Sequence, residues 1–226
     1  MYEPTPSTKY QLPRELLRVF ALREYAEQFS ELGEVRMGEI RGYRDVNGHR
    51  KDADEAVALA LVPGDVPTIF FDRDTGRKTF ETTTPGYFNY NGASMNPAYI
   101  LCCAQITADA EELRRRFGRW AVRVTDTAAF VNKLARSASS ATPDDRQACY
   151  VDAFPVMYSK GLEVTMEEVR RLSSRLHYGQ KSPEFSVEQE YRIAVVVSGP
   201  QTAAPSHLVL STGSLRRISA IVDLGE

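Results

Sequence analysis

FSVEQEYRIAVVV, residues 185–197, is the stretch that best predicts the fold of this 226-residue chain. Apolar and polar side chains alternate along it, and a period of two is typical of a strand with one face in the core. The apolar face holds Phe185, Val187, Tyr191, Ile193 and Val195. The opposite face holds Glu188, Glu190 and Arg192. The stretch therefore predicts a long strand, beginning near Ser186, in a largely antiparallel sheet.

Glu188 and Glu190 are the best candidates for catalysis. Two carboxylates on a rigid strand can stabilise positive charge that develops on a substrate, as at the reacting carbon of a sugar during glycosyl transfer. A competing interpretation needs no function, because any half-exposed antiparallel strand shows the same alternation. Arg192 would then simply neutralise Glu190 at a solvated surface.

Other segments predict both strands and helices. Residues 99–106 are continuously apolar, as in an interior strand. Further strands are predicted at 16–20, 35–40, 56–62, 67–73, 78–83 and 120–125, and near residues 150, 156, 208 and 218. Helices are predicted at 22–29 before Gly33, from Thr107 to a stop at Gly118, from Asp126 to Leu134, and from Thr165 to near Gly179. Residues 85–97 and 137–145 are predicted loops.

These elements predict a single α+β domain over residues 14–226, with a mainly antiparallel mixed sheet and several flanking helices. Residues 1–13 contain three prolines and few apolar residues, which predicts a loose N-terminal arm. No internal repeat and no linker divides the chain.

Composition limits the classes of partner. The net charge of -2 gives no global field that would attract nucleic acid or an anionic membrane. The longest apolar stretch, residues 56–63, is too short to cross a bilayer, and the N-terminus lacks the features of a signal peptide. Three cysteines without a framework spacing are typical of a reducing compartment, so we expect a cytoplasmic protein without membrane contact.

Arginines and a tyrosine are the candidate ligands for a cofactor. Arg41 and Arg44 lie in the charged segment 41–55 and can bind phosphates through a bidentate guanidinium, while Tyr43 can stack on a base or a nicotinamide ring. Arg18 lies within the apolar strand 16–20, where a buried arginine needs a carboxylate or a ligand phosphate as partner. The alternatives are a solvated loop and an arginine that extends from a strand edge into water.

Other types of site receive less support. The three histidines are scattered, and no Cys/His spacing resembles a zinc site. The chain has no Gly-rich phosphate loop, Gly-x-Ser-x-Gly elbow or His-Glu-x-x-His motif. Cys102 and Cys103 are predicted core residues. The basic run 114–119 with Arg123 permits a local nucleic-acid contact, although a helix end explains it equally well.

The order of these features resembles a widespread bacterial family of uncharacterised proteins. The resemblance rests on segments 20–33, 35–44, 99–103 and 154–158, and above all on KSPEF at 181–185 followed by EQEYR at 188–192. Members of that family typically end in a lysine, a phenylalanine and a Glu-x-Glu-Tyr/Trp-Arg strand. The sequence departs from the family at residues 52–55, where DADE replaces an Asn-Asp-Pro segment.

The Glu-x-Glu strand also resembles the acidic motif of ADP-ribosyltransferases, which use NAD as a substrate. The resemblance implies that Glu190 is the late catalytic glutamate, that Glu188 orients or deprotonates the acceptor, and that Arg18 is the early-strand arginine. The central residue of the motif stays open between Tyr43 and Thr84.

The resemblance implies that NAD binds with its diphosphate near Arg18 or the segment 41–50, and that the acceptor is a protein or a nucleic acid. A bacterial toxin or antiviral defence system is the setting it suggests. Two alternatives remain. One is a non-enzymatic interaction module of such a system, and the other is a magnesium-dependent nuclease that uses Glu188, Glu190 and Asp52.

Overall fold

The computed structural model describes residues 11–40, 42, 58–63, 66–71, 77–84, 87–92, 97–141, 148–159, 162–163, 178–197 and 205–225. Most of the predicted arm 1–13, nearly all of segment 41–55 and most of the predicted helix 165–179 lie outside these ranges. Within them, no helix has the length and apolar character needed to cross a bilayer.

Strands dominate the described part of the chain. In chain order they are β1 Leu16–Phe20, β2 Glu34–Glu39, β3 Ala58–Pro63, β4 Val66–Phe71, β5 Lys78–Thr84, β6 Tyr87–Gly92, β7 Ala98–Gln105, β8 Trp120–Val124, β9 Ala148–Pro155, β10 Met157–Tyr158, β11 Leu162–Glu163, β12 Gln180–Lys181, β13 Glu190–Val197, β14 His207–Ser211 and β15 Ser219–Asp223.

Helices flank these strands. They are α1 Arg23–Glu27, which continues as a π-helical turn over Gln28–Leu32, then α2 Ala110–Phe117, α3 Thr127–Ala141 and a 3-10 helix over Pro183–Glu188. The predicted stop at Gly33 is confirmed, because Gly33 ends the π-helical turn in the left-handed conformation with φ of 68°.

The main sheet has eight strands with β7 at its centre. Its order is β14-β2-β7-β1-β8-β15, and β13 joins it by pairing with both β7 and β9. Every pair in this sheet is antiparallel, while β10–β12 and β11–β3 form short parallel pairs elsewhere. The predicted α+β class with a mainly antiparallel mixed sheet is confirmed.

The main sheet splits along one edge of β7. β13 pairs with β7 along almost its whole length, and the other edge of β7 is shared by β1 and β2. β1 contacts it only at Leu16–Gln105 and Leu17–Ala104, and β2 only through Gly38 and Glu39. Residues 101–103 therefore face no strand on that edge within the described ranges, and a gap opens between β1 and β7.

The two faces of β13 meet different apolar clusters. Tyr191, Ile193 and Val195 face the larger cluster, which includes Phe130 and Leu134 of α3. Ala194 and Val196 face a smaller cluster on the opposite side. The alternation predicted for residues 190–197 is thus confirmed, but both faces are buried.

Several predicted boundaries are wrong. The loop predicted at 85–97 contains β6, and α3 continues beyond Leu134 to Ala141. The extension is stable because Ala135 and Ala138 are small enough to be buried, and Ser137 Oγ donates to the Ser211 carbonyl at 2.8 Å. Asp109, rather than Thr107, caps α2 by accepting from the Glu112 amide at 2.9 Å.

Candidate functional site

Glu188 and Glu190 lie on different elements, which corrects the predicted continuous strand. Pro183 stands in the first turn of the 3-10 helix that ends at Glu188, and its fixed φ suits that position. Gln189 then adopts a left-handed conformation, with φ of 40° and ψ of 49°, before β13 begins at Glu190. Only Glu190 and Arg192 share a strand face as predicted, and the turn at Gln189 brings Glu188 back towards them.

Lys181 joins the two carboxylates. Its Nζ donates to Glu188 Oε2 at 2.7 Å and to Glu190 Oε2 at 3.0 Å. The ammonium also lies 4.5 Å from the centre of the Phe185 ring. The exposed fractions of Lys181, Glu188 and Glu190 are 8%, 4% and 5%, so the interaction is shielded from water.

Arg192 completes the buried cluster. Its Nε donates to Glu190 Oε1 at 2.7 Å, and its Nη1 donates to the Tyr178 carbonyl at 2.7 Å. The side chain is only 1% exposed. The interpretation of Glu188, Glu190 and Arg192 as a solvated polar face is therefore wrong. The second face of the strand is closed by other elements, and the charged groups satisfy one another there.

Two further residues hold the glutamates in place. Arg116 of α2 places Nη1 3.3 Å from Glu188 Oε1, which links the helix to the cluster. The backbone amide of Glu190 donates to Tyr158 Oη at 2.6 Å. Both glutamates are thus fixed by contacts from elements outside their own segment.

The cluster shifts the proton affinities of the two carboxyl groups in opposite directions. Burial opposes the charged form of Glu190, but Arg192 and Lys181 outweigh burial and hold the pKa of Glu190 well below its usual value. Burial raises the pKa of Glu188, and Lys181 offsets only part of that rise. Carboxyl groups whose pKa values are driven apart suit two different chemical roles.

A cavity of about 80 Å³ lies where β1 separates from β7. Its inner wall carries the charged side chains Lys181, Glu188, Glu190 and Arg192. Its outer wall includes Arg18, Val19, Cys102 and Phe117, which are half-buried, so the cavity reaches the surface on that side.

Arg18 lies in this cavity, and no carboxylate of the described residues forms an ion pair with it. Its Nη1 donates to the Cys102 carbonyl across the gap in the sheet, and its Cζ lies 5.6 Å from the centre of the Phe20 ring. Its Nε is buried and has no hydrogen-bond partner among the described residues. β1 pairs with β8 along its whole length but with β7 only at Leu16 and Leu17, so Arg18 lies on the edge of β1 that faces the gap.

The two adjacent cysteines have different surroundings. Cys103 is a core residue as predicted, and burial raises its pKa to about 12. Cys102 instead faces the cavity opposite Arg192, where burial and then Glu190 raise the pKa of its thiol. A thiol that stays protonated is a poor nucleophile, so this environment does not favour cysteine catalysis.

The described part of the chain does not place the remaining predicted ligands at this cavity. Arg41, Tyr43, Arg44 and Asp52 lie outside the described residues, and Thr84 ends β5 in a separate two-stranded sheet. Their predicted roles stay predictions.

Sequence reasoning missed the roles of Lys181 and Tyr158 in the site. The position of Lys181 in the KSPEF segment could have indicated its role, because a lysine close in sequence to two glutamates is a candidate counter-ion for them. Nothing in the local pattern connects Tyr158 with Glu190, 32 residues further along.

Metal and nucleic-acid sites gain no support from the described residues. These contain no group of three or more His, Cys, Asp or Glu side chains that could hold a metal ion. In the basic segment of α2 and β8, Arg115, Arg116, Arg119 and Arg123 pair with Glu112, Glu188, Asp223 and Glu15 respectively. Most of the positive charge there is neutralised within the protein.

The arrangement combines two kinds of chemical group around one cavity. Carboxylates of different proton affinity can stabilise positive charge and accept a proton, while a guanidinium without a carboxylate partner can hold an anion.

The chain was compared with models of known protein families, with curated proteins and with solved structures, and none of the three comparisons finds a match.

Proposed function

We propose that this protein is an ADP-ribosyltransferase-like enzyme that uses NAD as a substrate and modifies a protein or nucleic-acid acceptor. One observation carries the proposal: Glu188, Glu190 and Arg18 line the same cavity. The resemblance to ADP-ribosyltransferases implies roles for these three residues, and their shared cavity supports those roles. A toxin or antiviral defence system is the setting that the same resemblance implies.

Glu190 is the charge-stabilising group in this proposal. Its contacts with Arg192 and Lys181 keep it ionised and fix its orientation before substrate binds. A carboxylate oxygen accepts more than one hydrogen bond, so Glu190 can also hold a ribose hydroxyl. The bond between C1′ of the ribose and the nicotinamide nitrogen breaks, and the electron pair leaves with nicotinamide. Glu190 stabilises the oxocarbenium ion that remains.

Glu188 is the proton acceptor. Burial raises its pKa, which makes its carboxylate a stronger base than an exposed glutamate. As the acceptor nucleophile forms its bond to C1′, its proton passes to Glu188. NAD and the acceptor are thereby converted to the ADP-ribosylated acceptor, nicotinamide and one proton.

Arg18 provides the anion site of the proposal. Its half-buried guanidinium has no ion pair with a carboxylate among the described residues, and its buried Nε has no hydrogen-bond partner there, so the group can accept an anion as a ligand. The diphosphate of NAD supplies such an anion. A cavity of about 80 Å³ holds only a part of a dinucleotide, so most of the NAD molecule would lie outside it.

The magnesium-dependent nuclease is less well supported by the same geometry. Lys181 and Arg192 already donate to the carboxylate oxygens that a hard cation would use. A magnesium ion would have to displace these contacts or repel the two cationic groups.

The first test of the proposal is nicotinamide release by the purified full chain supplied with NAD, with water as the acceptor. We expect E190Q to lower the rate at least about 100-fold, because it removes the group that stabilises the oxocarbenium ion. R18M should raise the KM for NAD by about tenfold or more, because a charge-assisted contact to phosphate is lost.

Two matched variants serve as controls. Glu184 is an exposed glutamate of the same 3-10 helix, and Arg123 is a surface arginine of β8, next to β1. E184Q and R123M should release nicotinamide at the wild-type rate within about twofold. Release that persists in a folded E190Q protein, checked by circular dichroism, would overturn the proposal. A melting temperature raised by magnesium and not by NAD would favour the nuclease instead.

A further inference from the structure

The buried ammonium of Lys181 contacts both glutamates. It lies 2.7 Å from Glu188 and 3.0 Å from Glu190, each time at Oε2. Without a cation between them, two carboxylates so close together in a buried site would repel each other. Lys181 therefore reduces the repulsion between the two carboxylates when both are ionised.

The backbone of Lys181 is fixed independently of the glutamates. β12 pairs in parallel with β10, which places Lys181 beside Tyr158. Tyr158 in turn accepts from the Glu190 amide at 2.6 Å. The ring of Phe185 lies against the ammonium, so the side chain has little freedom to turn away. The position of the charge is thus built into the fold before any ligand binds.

Other charged and titratable groups also face Glu188. They are Arg116 of α2, itself close to Glu112, then Glu190 and Arg192 of β13, Tyr158 of β10, and Cys102 and Arg18 on the cavity wall. Within the described part of the chain, Arg116 is the second cation in direct contact with Glu188, at 3.3 Å compared with 2.7 Å for Lys181. Lys181 has the shorter contact and is the more buried of the two cations.

We propose that Lys181 is a positioning residue of the candidate site: by bridging Glu188 and Glu190 it fixes their spacing and stabilises both as carboxylates. This inference rests on the proposed function only for its catalytic consequence. Lys181 itself stays protonated, because Glu190 and Glu188 outweigh the effect of burial and raise its pKa. It therefore acts through the carboxylates and not as a nucleophile.

The direct test follows the protonation of Glu188 in the full chain by carbon-13 NMR of labelled glutamate side chains, with E188Q identifying the signal. K181M should shift the protonation of Glu188 to a pH at least about one unit higher, because the closest cation is lost. In K181R, Glu188 should titrate at nearly the same pH as in the wild type. Glu188 signals that titrate alike in the wild type and K181M would overturn the inference, as would K181R behaving like K181M.

Kinetics provide a second readout that depends on the proposed function. The acidic limb of the pH profile of nicotinamide release should move to higher pH in K181M by the same interval. The rate at a given acidic pH then falls about tenfold for each pH unit of the shift. K78M, at an exposed position of β5, should leave the profile unchanged. If the wild type releases no nicotinamide, the proposed function fails, whereas the NMR titration still decides the role of Lys181.

A folding defect in K181M is also informative. Removal of Lys181 leaves two buried carboxylates facing each other, so K181M should be less stable than the wild type. The double variant K181M/E188Q removes one carboxylate and should recover part of that loss. A double variant no more stable than K181M would mean that Lys181 does not bridge the two groups, and the inference would be wrong.

Discussion

At the scale of the residue, the conformation of Gln189 places the two glutamates. Its φ of 40° is the only positive value among the described non-glycine residues. β-branched residues are strained in the left-handed region, whereas asparagine tolerates it. We expect Q189V to lower the free energy of unfolding about 1–2 kcal/mol more than Q189N, measured by urea denaturation. Both variants disturb the 2.7 Å contact between Thr107 Oγ1 and Gln189 Oε1, so their difference isolates the backbone. Equal stabilities would show that the turn is not strained.

At the scale of the element, Gly33 joins the π-helical turn to β2. Gly33 and Gly213 both have positive φ values, of 68° and 66°. A Cβ added at Gly33 would lie 2.0 Å from the Gly213 carbonyl oxygen, whereas a Cβ added at Gly213 meets nothing within 4 Å. We expect G213A to cost about 1 kcal/mol of stability from backbone conformation alone. G33A should cost at least about 3 kcal/mol, because the neighbouring backbone must also move. Thermal unfolding of both variants tests this, and equal losses would contradict it.

At the scale of the whole molecule, the buried cluster links stability to pH. The pKa of Glu190 is lowered by folding, so its contribution is present above the unfolded value of about 4.3 and is lost as pH falls towards the folded value. E190Q should cost about 3–5 kcal/mol at pH 7, because Lys181 and Arg192 stay buried without it. The difference in free energy of unfolding between the wild type and E190Q, measured by chemical denaturation, should become smaller between pH 4 and pH 3. E184Q, which changes an exposed glutamate, should stay within about 0.5 kcal/mol of the wild type. A deficit for E190Q that is constant with pH would contradict this origin.

Much of the fold could be predicted because it follows from local sequence patterns. The bounds predicted for β1, the start of β8 at Trp120, the stop at Gly33 and the alternation along β13 depend on neighbouring residues alone. The candidate site was predicted only in part. Glu190 and Arg18 were identified from single strands, but no local pattern shows that they line the same cavity.

The sequence by itself determined that the chain forms antiparallel strands with flanking helices, because hydrophobic periodicity depends on residues a few positions apart. Only the tertiary structure decided that Glu188 ends a 3-10 helix, since residues 185–188 alternate as a strand does. Tertiary contacts also decided that the polar face of β13 is buried and that Lys181 bridges the glutamates. Burial and the meeting of charges depend on segments that are distant in sequence, and their electrostatic energies are fixed by distances that no local pattern contains.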